Sequence, residues 1–226
     1  MEAANIGAGG AREADVAPAP ATTEASRGVM AGWSPADPGP LGLAAFAATT
    51  FCLSMVNANL VNITAVGVVL VLALAYGGIV QIIAGIWEFR TGNTFGAVAF
   101  CSYGAFWVSV YFLFHTFLVL IAPAHRASAL GLYLWTWAIF TIYMFIASLR
   151  TSGAVALTFL LLMITFILLA IGNSSLAGGT AATNNTIKLG GWFGIATAAA
   201  AWYASGAAVI NSTFGRTLLP VVPLRR

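Results

Sequence analysis

From Pro38 to Trp87 the chain runs for 50 residues without one charged side chain. As a single helix this stretch would be about 75 Å long, more than twice the ~30 Å hydrocarbon core of a bilayer, so it folds back once inside a membrane. The break falls at Asn57, Asn59 and Asn62, whose amides favour turns and are costly against lipid. Two spans result, at roughly 41–60 and 64–87.

The rest of the chain repeats the pattern. After the polar segment Glu88-Phe89-Arg90-Thr91-Gly92-Asn93 the apolar stretches predict spans at roughly 94–121, 129–149, 154–171 and 189–210. Pro123, His125 and Arg126 separate the third span from the fourth, Arg150 to Gly153 the fourth from the fifth, and a polar loop at 172–188 the fifth from the sixth. The fold expected is an all-α integral membrane protein with six transmembrane helices per protomer. Residues 1–38, rich in Ala, Gly, Pro and Thr and holding five of the six acidic residues, read as a disordered N-terminal tail. The tail has no apolar core of a secretory signal and is expected to stay on the mature protein. The transmembrane domain spans 39–215, and 216–226 form a short basic tail. With six spans both termini share a side. Arg12, Arg27, Arg90, Arg150, Arg216, Arg225 and Arg226 fall on that side and only Arg126 and Lys188 on the other, which places both termini in the cytoplasm of a protein of the cell membrane.

Charged residues make up 7% of the sequence against about 25% in soluble domains, too few for a water-exposed surface. The basic residues are scattered rather than striped, which argues against a nucleic-acid partner. Cys52 and Cys101 lie within apolar runs and read as small buried hydrophobes, and His115 and His125 have no companions at metal-ligand spacing, so neither a metal nor a cofactor is expected. The single lysine, Lys188, falls in a loop, which removes a retinal Schiff base. Hydrolase and nucleotide-binding motifs are missing, and an enzyme is not expected.

Gly77, Gln81, Gly85 and Glu88 form a helical stripe of small and polar groups on the second span. Glu88 is the only carboxylate beyond Asp37; it is either a proton carrier or an interfacial residue paired with Arg90 and solvated at the helix end. His115, beside the aromatic stripe Tyr103, Trp107 and Phe114, is the second proton-exchanging candidate, with hydrogen bonding near the outer end as its plainer role. A stripe of Gly190, Gly194, Ala198, Ala201, Ser205 and Ala208 on the sixth span reads as a packing face, with bordering a narrow pore as the alternative.

Longer motifs carry a resemblance. Asp37-Pro38-Gly39-Pro40-Leu41-Gly42-Leu43, followed by Phe46 and Thr49-Thr50, resembles the Asn-Pro-Ala-Pro-Leu-Gly-Leu signature of the acetate uptake transporters, the SatP-like family. Tyr76-Gly77-Gly78-Ile79 with Gln81, Gly92-Asn93-Thr94-Phe95-Gly96, Ser102-Tyr103-Gly104, Ala170-Ile171-Gly172-Asn173, and Phe214-Gly215-Arg216-Thr217 extend the likeness over about residues 37–220. Asp37 and Gly39 depart from the signature's asparagine and alanine, and the loop at 172–188 is longer than in bacterial members. The resemblance implies transport of acetate, and in some members succinate or other short carboxylates, through one path in each protomer of a hexamer, by proton symport or channel-like passage. It also implies a constriction of Phe46, Tyr103 and Leu162, with Thr49, Thr50, Gln81, Asn173 and Asn211 as polar path residues. Acetate, protons and the bilayer are the partners that follow. An ammonium or other small-solute channel, and a receptor or scaffold without transport, are the competing classes.

Overall fold

The computed structural model describes residues 35–176 and 184–224; the expected tail over 1–34, Arg225 and Arg226, and 177–183 of the polar loop lie outside them. Among the described residues six helices are long and apolar enough to cross a membrane: α1 (Gly39–Asn57), α2 (Ile63–Thr91), α3 (Thr94–Leu120), α4 (Pro123–Ser148), α5 (Gly153–Ser174) and α6 (Asn185–Phe214). Each backbone polar group inside a helix is satisfied within it, as hydrocarbon requires. Short connections make successive helices run in opposite directions, so Arg90, Arg150 and Arg216 gather at one end and Arg126 and Lys188 at the other.

The helix limits follow from local chemistry. Asn59 takes a left-handed conformation at φ 59°, which asparagine tolerates well, and Asn62 accepts a hydrogen bond from the Thr64 amide to start α2. Gly92, at φ 76°, closes α2, and the side chain of Asn93 caps α3 by accepting from Gly96 N. The fourth span begins six residues earlier than its expected start at 129. Pro123 sits in the first turn of α4, where a missing N–H costs nothing, and Arg126 is helical while its guanidinium donates to the carbonyl of Ile121.

Two π-helical turns interrupt α2 and α3, at Ala75–Val80 and Leu113–Phe117. In α2 the inward residues recur every four positions, at Val69, Ala73, Gly77, Gln81 and Gly85. Steps of four overshoot one α-helical turn by about 40°, and the wider π turn offsets the drift, keeping one continuous face inward.

Packing rests on close backbone approach. α6 lies between α1 and α5, and α4 packs on α5. A Cβ built at Gly191 would fall 2.7 Å from Ala58 Cα, and one at Gly194 would strike the Ser54 side chain. Gly77 meets Thr49, Gly85 meets Cys101, and Gly190 meets Leu169. The small-residue stripes of α2 and α6 thus serve contacts within one protomer. Cys52 and Cys101 are free and half-buried. Outward faces are apolar, with Val71, Leu132 and Ile139 each more than 60% exposed, as suits lipid.

Part of the C-terminal segment is tied back to the helices. Gly153 N donates to Val222 O at 2.7 Å and Leu224 N to Thr151 O at 3.0 Å, so residues 221–224 pair with the turn between α4 and α5. Asn211 holds the preceding residues, accepting from the amides of Leu218 and Leu219 and donating to Leu219 O.

The glycine contacts give a test. Gly191→Ala puts a methyl group against backbone that cannot rotate away, and is expected to cost about 1–3 kcal/mol. Gly206→Ala, where nothing lies within 4 Å, is expected to be neutral or to stabilise by up to about 1 kcal/mol. Thermal unfolding in detergent checks the pair; equal midpoints would remove the packing role of Gly191.

Candidate functional site

Three cavities follow one another through the helix bundle. The first, about 240 Å³, opens at the end where α1, α3 and α5 begin. Its rim carries Asp37, Glu88, Asn93, Thr151 and Ser152, together with Val221 from the paired C-terminal segment. Leu43, Ala99, Phe100 and Phe159 line both this cavity and the second, which lies deeper and measures only about 20 Å³. That is room for about one water molecule. The third, about 90 Å³, is lined by Asn57, Phe106, Phe114, Tyr133, Phe166 and Asn173 among others, toward the opposite end.

Stacked rings separate the second cavity from the third. Tyr103 and Phe166 lie with centroids 6.5 Å apart and planes at 14°, and Phe106 meets Phe166 edge-on at 5.3 Å. Tyr103 also touches Phe46 at 5.6 Å, Phe140 at 5.2 Å and Phe159 at 6.0 Å. Its hydroxyl is fixed by Thr141 at 2.9 Å. Because Thr141 Oγ1 gives its own hydrogen to Trp137 O at 2.7 Å, Tyr103 is the donor of that pair.

Phe46, Tyr103 and Leu162 line the second cavity together, and Gln81 joins them. Gln81 is 0% exposed, yet neither its Nε2 nor its Oε1 has a hydrogen-bond partner among the described residues. Since an orphaned buried amide costs about 1–3 kcal/mol per group, its presence calls for a functional explanation. The π turn ending at Val80 immediately precedes it, a placement frequent at functional sites.

Glu88 differs from its solvated reading. α2 continues to Thr91, which brings Glu88 inward to 2% exposure, and Oε2 accepts from Asn93 Nδ2 at 2.9 Å and Thr91 Oγ1 at 3.1 Å. Asp37 stands on the same rim, accepting from Gly39 N at 2.8 Å.

Other expected path residues lie elsewhere. Thr49 is buried against Gly77 and donates to Ala45 O, lining none of the three cavities. Thr50 is buried, with an unpartnered hydroxyl outside them. Asn173 borders the third cavity while donating to Leu169 O. Asn211 is engaged with the C-terminal segment, away from the cavities, because its amide matches the unpaired backbone groups there. His115 is exposed on the second π turn, its ring against Tyr111 at 5.2 Å, also away from the cavities. Thr141 escaped the sequence reading because a threonine in an apolar span gives no sign of which helix its hydroxyl faces. Among the described residues no cluster of metal-ligating side chains occurs.

Six membrane-crossing helices around this string of cavities define a polytopic membrane protein whose innermost cavity is lined by no charged side chain. A model described as the GPR1/FUN34/yaaH family matches residues 28–226, and the chain belongs to that family. It is 39% identical over 186 residues to the Succinate-acetate/proton symporter SatP of Escherichia coli (strain K12), covering 82% of this chain and 95% of that one. Identity to Acetate permease A of Emericella nidulans is 40% over 202 residues, 82% of this chain but 65% of the longer fungal protein. Ammonia transport outward protein 2 of Saccharomyces cerevisiae is 43% identical over 173 residues, 74% of this chain and 59% of that protein. The solved structure described as that of the bacterial acetate channel SatP superposes with a TM-score of 0.75 at 39% identity, covering 83% of this chain and 99% of that one.

Asn93 supports two things at once, the α3 start and the Glu88 carboxylate. Asn93→Ala is expected to lose about 1–3 kcal/mol. Asn93→Asp keeps the cap but sets a second carboxylate beside Glu88, so its deficit relative to wild type is largest at neutral pH and shrinks as acid protonates one of the two. Thermal midpoints from pH 4 to 8 check this; a deficit independent of pH would remove the Asn93–Glu88 contact from the account.

Proposed function

We propose that this chain moves acetate, and other short carboxylates such as succinate, across the cell membrane with proton coupling, through one path in each protomer of a homo-oligomer. The hexamer, and the placement of both termini in the cytoplasm, follow the resemblance and the arginine bias. The observation that carries the reading is the unpartnered amide of Gln81 in a cavity walled by Phe46, Tyr103 and Leu162, between a polar mouth and a second vestibule.

This arrangement suits a small polar solute that passes without being trapped. No charged side chain lines the second cavity, so a carboxylate meets no arginine or lysine that would hold it. The rings and Leu162 form the constriction, and Gln81 supplies the polar contact within it. Glu88, on the rim of the mouth, is the proton-exchanging group best placed to assist at that end.

Coupling has an energetic reason. At 100 mV inside-negative, one anion entering is opposed by about 2.3 kcal/mol, roughly fifty-fold at equilibrium, and one accompanying proton removes the penalty. The E. nidulans and E. coli relatives carry acetate in their names, and a yeast relative carries ammonia. The carboxylate reading is favoured because the histidine that an ammonium path would employ, His115, is exposed on the bundle's exterior.

Labelled-acetate uptake into proteoliposomes tests the proposal, with methylammonium as the contrast. Acetate uptake stimulated by an acid-outside gradient is expected; methylammonium flux without acetate flux would favour the ammonium reading. Leu162→Ala is expected to widen the constriction and admit lactate, and selectivity identical to wild type would remove Leu162 from the path. Glu88→Gln is expected to weaken the stimulation by the gradient; full stimulation in that variant would leave Glu88 a structural role.

A further inference from the structure

The donors and acceptors inside the second cavity are unequally distributed. Thr158 Oγ1 gives its hydrogen to Ala154 O at 2.9 Å, and the Tyr103 hydroxyl, as argued above, donates to Thr141. Each hydroxyl bordering the cavity therefore has its hydrogen committed elsewhere. The only uncommitted donor is Gln81 Nε2, and beside it stands the uncommitted acceptor Gln81 Oε1. A carboxylate anion offers acceptors alone: it would engage Nε2 but set its negative charge against Oε1 and the apolar rings, with no cation to offset the loss of water. An undissociated carboxylic acid offers one acceptor and one donor side by side. Its carbonyl accepts from Nε2 while its O–H donates to Oε1, closing a planar two-hydrogen-bond ring with the amide.

Resting on the transport reading above, we propose that the species passing Gln81 is the neutral acid. The proton of symport travels on the substrate's own carboxyl oxygen. Acetate takes a proton from water or a rim carboxylate at one mouth, crosses the constriction as acetic acid, and releases the proton to water at the other. No proton-carrying side chain is required within the cavity, and no carboxylate, histidine, lysine or arginine lines it.

Acetamide is the discriminating probe, since it presents the same donor and acceptor geometry and carries no charge at any working pH. Fluxes are measured into proteoliposomes and corrected for protein-free vesicles. Wild type is expected to conduct acetamide above the protein-free rate, and acetamide to compete with acetate. Protein-dependent acetate flux at fixed total acetate should fall about tenfold per pH unit above the acid's pKa, and should not respond to a clamped potential. Gln81→Leu is expected to reduce both fluxes at least tenfold while raising the thermal midpoint, because it removes an unpartnered amide from the interior. A lowered midpoint would mean that the amide is held by structure rather than free for a ligand, and would overturn the assignment. Acetate flux that follows total acetate, or varies with potential, together with exclusion of acetamide, would overturn the neutral-acid proposal and leave the transport reading standing. Absence of any protein-dependent acetate flux would overturn both.

Discussion

The rest of the bundle depends on how closely α1 and α6 approach. Lipid tails are as apolar as leucine, so helices in a membrane gain little by hiding apolar surface from them, and association relies on tight packing. Gly191 and Gly194 let the α6 backbone reach Ala58, just beyond α1, and Ser54 within it, and Ser205 ties the other end by donating to Pro40 O at 2.7 Å. α1 in turn sets the position of Phe46 and, through Thr49 against Gly77, the depth at which the π turn of α2 seats Gln81. A loss of contact at one glycine is thus transmitted to the second cavity, which α1, α2, α3 and α5 line together.

The interior shows how a polar helix surface is made compatible with hydrocarbon. Thr49, Thr141, Thr158, Thr165 and Thr197 each return their hydrogen to the carbonyl four residues earlier on the same helix. Such hydroxyls keep an acceptor available but present no donor to a passing solute. Against that background the amide of Gln81 stands out, having no hydrogen-bond partner among the described residues.

Six spans were legible in the sequence because apolar length and the Asn57–Asn62 break are local signals that tertiary packing does not reverse. The small-residue stripes were legible for the same reason, though not which helices they join. Three features were not. Pro123 and Arg126 looked like a loop, yet a proline is neutral in a first helical turn and an arginine there serves as a cap for the preceding helix. Glu88 looked solvated because the end of α2 was placed four residues early, at 87 rather than Thr91. Asn211 matched a family position, but its partners are backbone groups of the C-terminal segment, whose course no periodicity discloses. For the constriction, resemblance supplied Phe46, Tyr103, Leu162 and Gln81; the structure adds that they border one cavity and that Thr141 fixes the tyrosine.

The π turn at Ala75–Val80 makes residue count and rotation interchangeable along α2. One residue corresponds to about 100° of helix rotation, but a π turn holds one residue more than an α turn. A single deletion within Ala75–Val80 would therefore be absorbed as an ordinary α turn, with Gln81 and Glu88 still facing inward. The regular helix from Gln81 to Thr91 has no such slack: the same deletion between Gln81 and Glu88 would swing the carboxylate away from the interior while every side chain stayed chemically intact. The meaning of a lost residue in α2 thus depends on which side of Val80 it falls.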